Sequence, residues 1–238
     1  MSNNLNRPKD SLNKKASFDV IINGIKLNKK YRINKILTKK EINKISRASI
    51  EIYGGDRHKN EFPEIEDSIF DVGNEIVIKI GYEQDNSNVF EGVIESNSIN
   101  LLNGYQNDPE KSLLKVECVD KAIKLTNSYT NEVYEDMMES DIVKNLVKNI
   151  NGLESNIQEV NLSHDFFPKY NNNDWEFILE RASMNGMVIV NTNNYLDFKN
   201  PSCEKSSELI ISNGGTTYSF HAKQQSENQI KKLIVNSI

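Results

Sequence analysis

The sequence has little of what usually announces chemistry. It holds two cysteines, Cys118 and Cys203, far apart in the chain, which read as free thiols rather than as a disulfide or a thiolate metal site. Its three histidines, His58, His164 and His221, stand in unlike contexts and at no ligand spacing, so no zinc or other metal centre is expected. No stretch approaches the ~20 apolar residues that cross a bilayer, and the opening "MSNNLNRPKDSLNKKA" lacks the apolar region of a signal peptide. These absences predict a chain without stable membrane insertion that is made and folded in a cytoplasm. Hydrophobic residues make up only 37% of the chain, which is low for a self-sufficient globule and predicts that part of the core lies between subunits.

What is present is unevenly placed. The net charge of -5 argues against a general nucleic-acid binder, yet residues 1–59 hold fifteen Lys/Arg against five Asp/Glu, leaving the remainder strongly acidic. The basic stretch "KLNKKYRINKILTKKEINKISR" reads as a half-buried strand, through Ile33, Ile36 and Leu37, with a solvated lysine face. Complementary charge between subunits, or toward a partner, explains the asymmetry better than phosphate tracking.

Residues 1–15 read as a flexible polar tail. From Phe18 onward the pattern is that of strands. Asn23-Gly24 sits between two alternating runs as a tight hairpin turn. "RASIEIYGGD" alternates, Glu75–Gly81 and Val89–Ser96 are two strands joined by a polar loop, and "SLLKVECVDKAIKL" puts Leu114, Val116, Cys118 and Ala122 on one face. Short strands at this spacing predict a small antiparallel barrel or sandwich. The period then changes. "MESDIVKNLVKNINGL" reads as a helix capped by Ser140 and stopped at Gly152. "NNNDWEFILERASMNGMVIVNTNNYLDF" reads as a second helix, capped by Asn173 or Asp174 and ended at Gly186, that runs into a hairpin turning at Asn191–Asn194. Trp175, Ile178, Leu179 and Ala182 are its apolar stripe, while Glu180 and Arg181 read as surface charges. After residue 200 strands resume, and the last, "KKLIVNSI", has no successor to complete a barrel.

No group of residues supplies a nucleophile with its base. His164-Asp165 are neighbours whose side chains point apart in a strand; "NGGTT" at 213–217 reads as a hairpin turn rather than a phosphate loop; and "PEIEDS" at 63–68 reads as a solvated loop rather than a glycosidase pair. No catalytic, cofactor-binding or metal residue is assigned.

The order of pieces resembles the N-terminal hub region of VgrG spike proteins of type VI secretion systems and of related phage-tail and extracellular injection particles. The match rests on "IKIGYEQDNSNVFEGVIES", with Gly81, Phe90 and Gly92, and on the helix-strand segment carrying Asp174, Trp175, Phe177, Leu179, Arg181 and Gly186. Met184-Asn185 replaces the acidic pair common before that glycine. The resemblance implies a mainly β fold with an α/β insert: a first hub β-barrel over 16–130, the insert over 131–200, and the opening strands of a second barrel over 201–238. It further implies a structural, non-enzymatic hub that needs no cofactor. Such a hub forms a homotrimeric, pseudo-sixfold ring joining an inner tube protein, baseplate proteins and a downstream spike needle or tip, assembled in a bacterial cytoplasm and carried out with the particle. The missing needle implies a truncated or split gene. The competing reading is a free-standing carbohydrate or cell-wall binding module, for which the lone Trp175 and scattered tyrosines would supply the rings.

Overall fold

The computed structural model describes residues 15–54, 64, 67–101, 112–160, 163–202 and 221–223, without the side chains of residues 101 and 164. Apart from 221–223 these belong to the compact unit Lys14–Cys203. The expected tail, the "NGGTT" turn, His58, Cys203 and nearly all of the expected opening strands of the second barrel lie outside the described residues.

Seven strands make one antiparallel sheet: β1 (Ala16–Ile22), β2 (Ile25–Lys26), β3 (Arg32–Lys39), β4 (Arg47–Tyr53), β5 (Glu75–Tyr82), β6 (Asp85–Leu101) and β7 (Ser112–Val119), in the order β2-β1-β5-β6-β7-β4-β3. Strict alternation puts Val20, Ile22, Ile50, Ile52, Ile76, Ile78, Leu114, Val116 and Cys118 inward, and all are buried. The expected barrel is not closed. Among the described residues the sheet ends at β2 and β3. Tyr31 packs edge-on against Phe70, ring centroids 5.2 Å apart, while its hydroxyl donates to Asp67, which caps the short 3-10 turn Ser68–Phe70.

Three details differ from the sequence reading. The polar segment after β5 is not a loop, because Glu83 and Gln84, both at positive φ, turn the chain in two residues and Asp85–Ser87 pair straight back onto β5. Leu37 is exposed, since β3 is the outermost strand and a register shift between Ile33 and Lys35 turns Lys35, Leu37 and Lys39 to the outer side. Ala122 is buried but does not continue the face of β7; it lies in the 3-10 turn Lys121–Thr126 and joins a second core.

That second core is built by the ribbon β8 (Tyr129–Met138) and β10 (Ser163–Asn173), helices α1 (Glu139–Lys148) and α2 (Asp174–Met184), and a sheet of β9 (Glu154–Ile157), β12 (Tyr195–Lys199) and β11 (Val188–Thr192), in which β12 pairs parallel with β9 and antiparallel with β11. Ser140 does not cap α1. β8 runs directly into the helix, Met138 takes the cap position without a side-chain bond, and Ser140 is buried in the first turn. α2 starts at its expected cap, with Asn173 Oδ1 accepting from the Glu176 N–H at 2.8 Å. It ends as expected at Gly186, whose φ of +63° is the left-handed conformation that glycine adopts most freely.

Candidate functional site

The helix α2 and the ribbon beneath it hold two of the four buried charges of the described residues, Lys169 and Arg181. Asp174, the first helical residue, forms an ion pair with the ammonium of Lys169, whose side chain is fully buried. Lys169 also donates to Thr130 Oγ1 at 2.8 Å and lies 5.9 Å from the Phe177 ring centroid. Two turns along, Arg181 is buried as well, which corrects its reading as a surface charge. Its guanidinium lies 4.2 Å from the Phe167 ring centroid and 5.3 Å from that of Phe177, and one nitrogen is 3.9 Å from Glu139 of α1. Glu139 accepts in turn from Asn185 Nδ2 at 2.7 Å. Arginine suits this place because a planar, weakly hydrated cation can stack between rings and still face a carboxylate.

Around this group Glu132 accepts from Tyr134 Oη at 2.6 Å, which lowers the carboxyl below its usual range. Burial, with the same carboxylate nearby, pushes the Tyr134 phenol up. The arrangement fixes charges in place and offers no nucleophile. Trp175, Phe177, Ile178 and Ala182 lie in the same core and Leu179 is packed against it half-buried.

Gly81, Phe90 and Gly92 lie in the seven-stranded sheet, Gly81 half-buried on β5 and the other two buried on β6. Phe90 is fully buried, and a Cβ on Gly92 would strike the Val119 carbonyl and lie 2.9 Å from Phe90 Cζ, so Gly92 lets β6 and β7 approach closely. A Cβ on Gly81 would strike the Asp85 carbonyl across the two-residue turn.

Between the two cores lies a polar clasp. Asp120, fully buried, accepts from the Ala122 N–H at 2.9 Å and the Asn194 N–H at 2.7 Å, and its own N–H donates to Ser46 O. Ser46 is bonded twice to Asn191, through its N–H at 2.9 Å and its hydroxyl at 2.6 Å. Asn43 Oδ1 accepts from the Ile189 N–H, and Lys40 donates to Thr192 Oγ1. Burial raises the Asp120 carboxyl above its usual range against the pull of these bonds. The asparagines that turn the β11–β12 hairpin, Asn193 and Asn194 at positive φ, thus also fasten it to the first sheet.

Two hollows are lined by described residues. One of about 870 Å³ lies between β1 and Leu27–Ile33; the other, about 410 Å³, lies between Lys39–Arg47 and Trp175. Neither aligns a base with a nucleophile. Among the described residues no three His, Cys, Asp or Glu side chains gather at metal-binding distance. His164 stands opposite Met137 in the ribbon beside exposed Asp165, and His221 is exposed. Burial pushes the Cys118 thiol up to about 12. Among the described residues no helix is long and apolar enough to span a membrane.

This architecture recurs in solved structures. The E. coli c3393 protein, described as a type VI secretion component with structural similarity to the T4 phage tail proteins gp27 and gp5, superposes with a TM-score of 0.53 at 15% identity, over 75% of this chain and 48% of its own. The 43 kDa tail protein of prophage MuSo2 from Shewanella oneidensis gives 0.54 at 11% identity, over 78% and 53%. A chain of the Francisella PdpA-VgrG complex gives 0.52 at 13% identity, over 77% and 31%. The chain therefore spans about half the length of the first two. Its fold is the β-rich α+β fold of VgrG-like and phage-tail hub proteins. No curated protein matches the sequence. Residues 13–237 match the family described as the Alg8 N-terminal domain, and the chain belongs to that family.

Proposed function

We propose that this chain is a structural hub component of a contractile injection machine, forming a trimeric, pseudo-sixfold ring between the inner tube and the spike. The hub-type fold carries this reading, since every solved structure described above with that fold is a tail or secretion-spike protein. The charge division supports it too, because a basic first quarter and an acidic remainder suit head-to-tail packing in a closed ring. On this reading the partners are two further copies, the tube protein, baseplate proteins and a spike needle or tip. Assembly takes place in a bacterial cytoplasm before the particle leaves, and no step of the role is catalytic.

The test is to locate the chain in the density of an assembled particle. Three copies around the axis at the tube tip are expected; a position away from the axis, or another copy number, overturns the reading. The carbohydrate-module reading loses its platform, because Trp175 is only 7% exposed and a stacking ring needs an open face. Titration with peptidoglycan fragments should leave tryptophan fluorescence unchanged.

A further inference from the structure

The ribbon β8–β10 is covered on one face only. Tyr134, Phe167 and Lys169 point into the second core, whereas Val133, Pro168, Phe166 and Tyr170 face outward, with Phe166 at 61% and Tyr170 at 82% exposure. Val133 stands directly opposite Pro168 and Phe166 opposite Glu135, so the apolar groups form one stripe flanked by acid. Glu135 shares that outward face, Asp136 and Asp165 are exposed next to it at the alternate positions, and the only Lys or Arg of the ribbon, Lys169, is buried. A two-stranded ribbon with four uncovered apolar side chains is an unusual thing to leave in water.

The complementary surface is on the same chain. The edge strand β3 turns Lys35, Leu37 and Lys39 outward, with Leu37 51% exposed, and Ile42 follows it, also exposed. Residues 32–47 hold six Lys/Arg against one acid, Glu41. Lysines alone would merely guard an edge strand against pairing, but a guarded edge has no use for two exposed aliphatic side chains between them.

We propose that the ribbon face of one copy receives the β3 edge of a second copy, with Leu37 and Ile42 on the Val133, Phe166 and Tyr170 stripe, and Lys35 and Lys39 opposite Glu135 and Asp165. The two faces differ, so the contact is head-to-tail and propagates around a ring instead of closing a twofold dimer. This rests on the ring reading above and names the faces that make it.

Sedimentation of the full chain, from micromolar to millimolar concentration, tests both. Glu135→Lys with Asp165→Lys reverses the ribbon, and Lys35→Glu with Lys39→Glu reverses the edge; all four sites are exposed, so each variant should keep the wild-type circular dichroism, and the edge variant alone should melt slightly lower because it loses the 2.8 Å Lys39–Glu41 pair. Each reversal should weaken self-association roughly ten- to a hundred-fold, and the quadruple variant, in which the charges are exchanged, should return to near wild-type strength. A trimer indifferent to both reversals, or weakened singly but not rescued in the quadruple variant, overturns this interface and leaves the ring standing. A wild-type chain that stays monomeric throughout, or forms a dimer, overturns the ring and the interface together.

Discussion

The two cores of Lys14–Cys203 are built on opposite principles. The first is aliphatic: isoleucine and valine from alternating strands, sealed by Phe70 and Phe90, with every buried Lys, Arg, Asp or Glu of the described residues lying at position 120 or beyond. The second threads Lys169, Glu139 and Arg181 among aromatic rings. An aliphatic sheet core tolerates volume-conserving exchange, because any side chain of the right size fills it. A core holding charges accepts few arrangements, since each ion needs its own partner. The second core is therefore the one whose geometry is held most narrowly, and α2 and its ribbon are its fixed frame.

The sharpest way to break this contrast is Arg181→Met. It removes the guanidinium that lies 3.9 Å from Glu139, whose side chain is 4% exposed, and should cost about 3–5 kcal/mol in urea unfolding. Adding Glu139→Leu should recover most of that, because two apolar groups replace a buried pair at little cost. A loss below ~1 kcal/mol for the single change, within the range of ordinary surface pairs, would show that the charges are not what holds this core.

Asp120→Asn tests the clasp between the cores. Losing one of its strong acceptors should cost roughly 1–3 kcal/mol at neutral pH. Its pH dependence has a defined sign. The folded-state carboxyl is raised by burial, so the folded protein takes up the proton more readily than the unfolded chain. The stability it contributes is present below the unfolded value of about 4 and is lost as pH rises through the folded value. Wild type should thus gain on the Asn variant as pH falls. Surface carboxyls of the first sheet run the other way: Glu41, held at about 2 by Lys39 and then Lys44, contributes stability above its unfolded value that fades as pH falls through the folded one.

Gly186→Ala should cost about 1 kcal/mol by thermal melting, from the positive φ alone, because no atom lies within 4 Å of the added methyl. The smallest effect belongs to Lys144→Ala. Its pair with Asp141, 2.9 Å long and spaced i,i+3 on the solvent side of α1, should be worth ~0.3 kcal/mol and vanish in salt.

What the sequence made legible was what local chemistry determines. The Asn23-Gly24 turn, the Asn173 cap and the Gly186 stop each follow from one residue's conformational preference, and the alternation of β4 and β7 from period-two burial. The misses share a cause in tertiary contacts. Ser140 looked like a cap because serine usually is one, but the helix begins two residues earlier than that cap implies, at Glu139, which can reach Asn185 and lie near Arg181. Arg181 looked exposed because its two aromatic neighbours come from different elements, Phe167 from a strand that no apolar run marked. The Glu83–Gln84 turn carries neither glycine nor asparagine, so nothing local announced it. The signature residues were visible as a pattern, but the reason for Asp174 was not, since its partner Lys169 is a lysine that a sequence reading would leave in solvent.

Cys118 gives the first core its own clock. Cys118 is 1% exposed near the C-terminal end of β7, paired with Ala48 on one side and Ile94 on the other. With its ionisation pushed up to about 12, it is nearly inert to alkylating reagents while the sheet is shut. In a Cys203→Ser background, pulse alkylation followed by mass spectrometry counts the openings that expose β7 between β4 and β6. Run with and without assembly partners, the same label would tell whether docking slows the breathing of the first sheet or leaves it untouched.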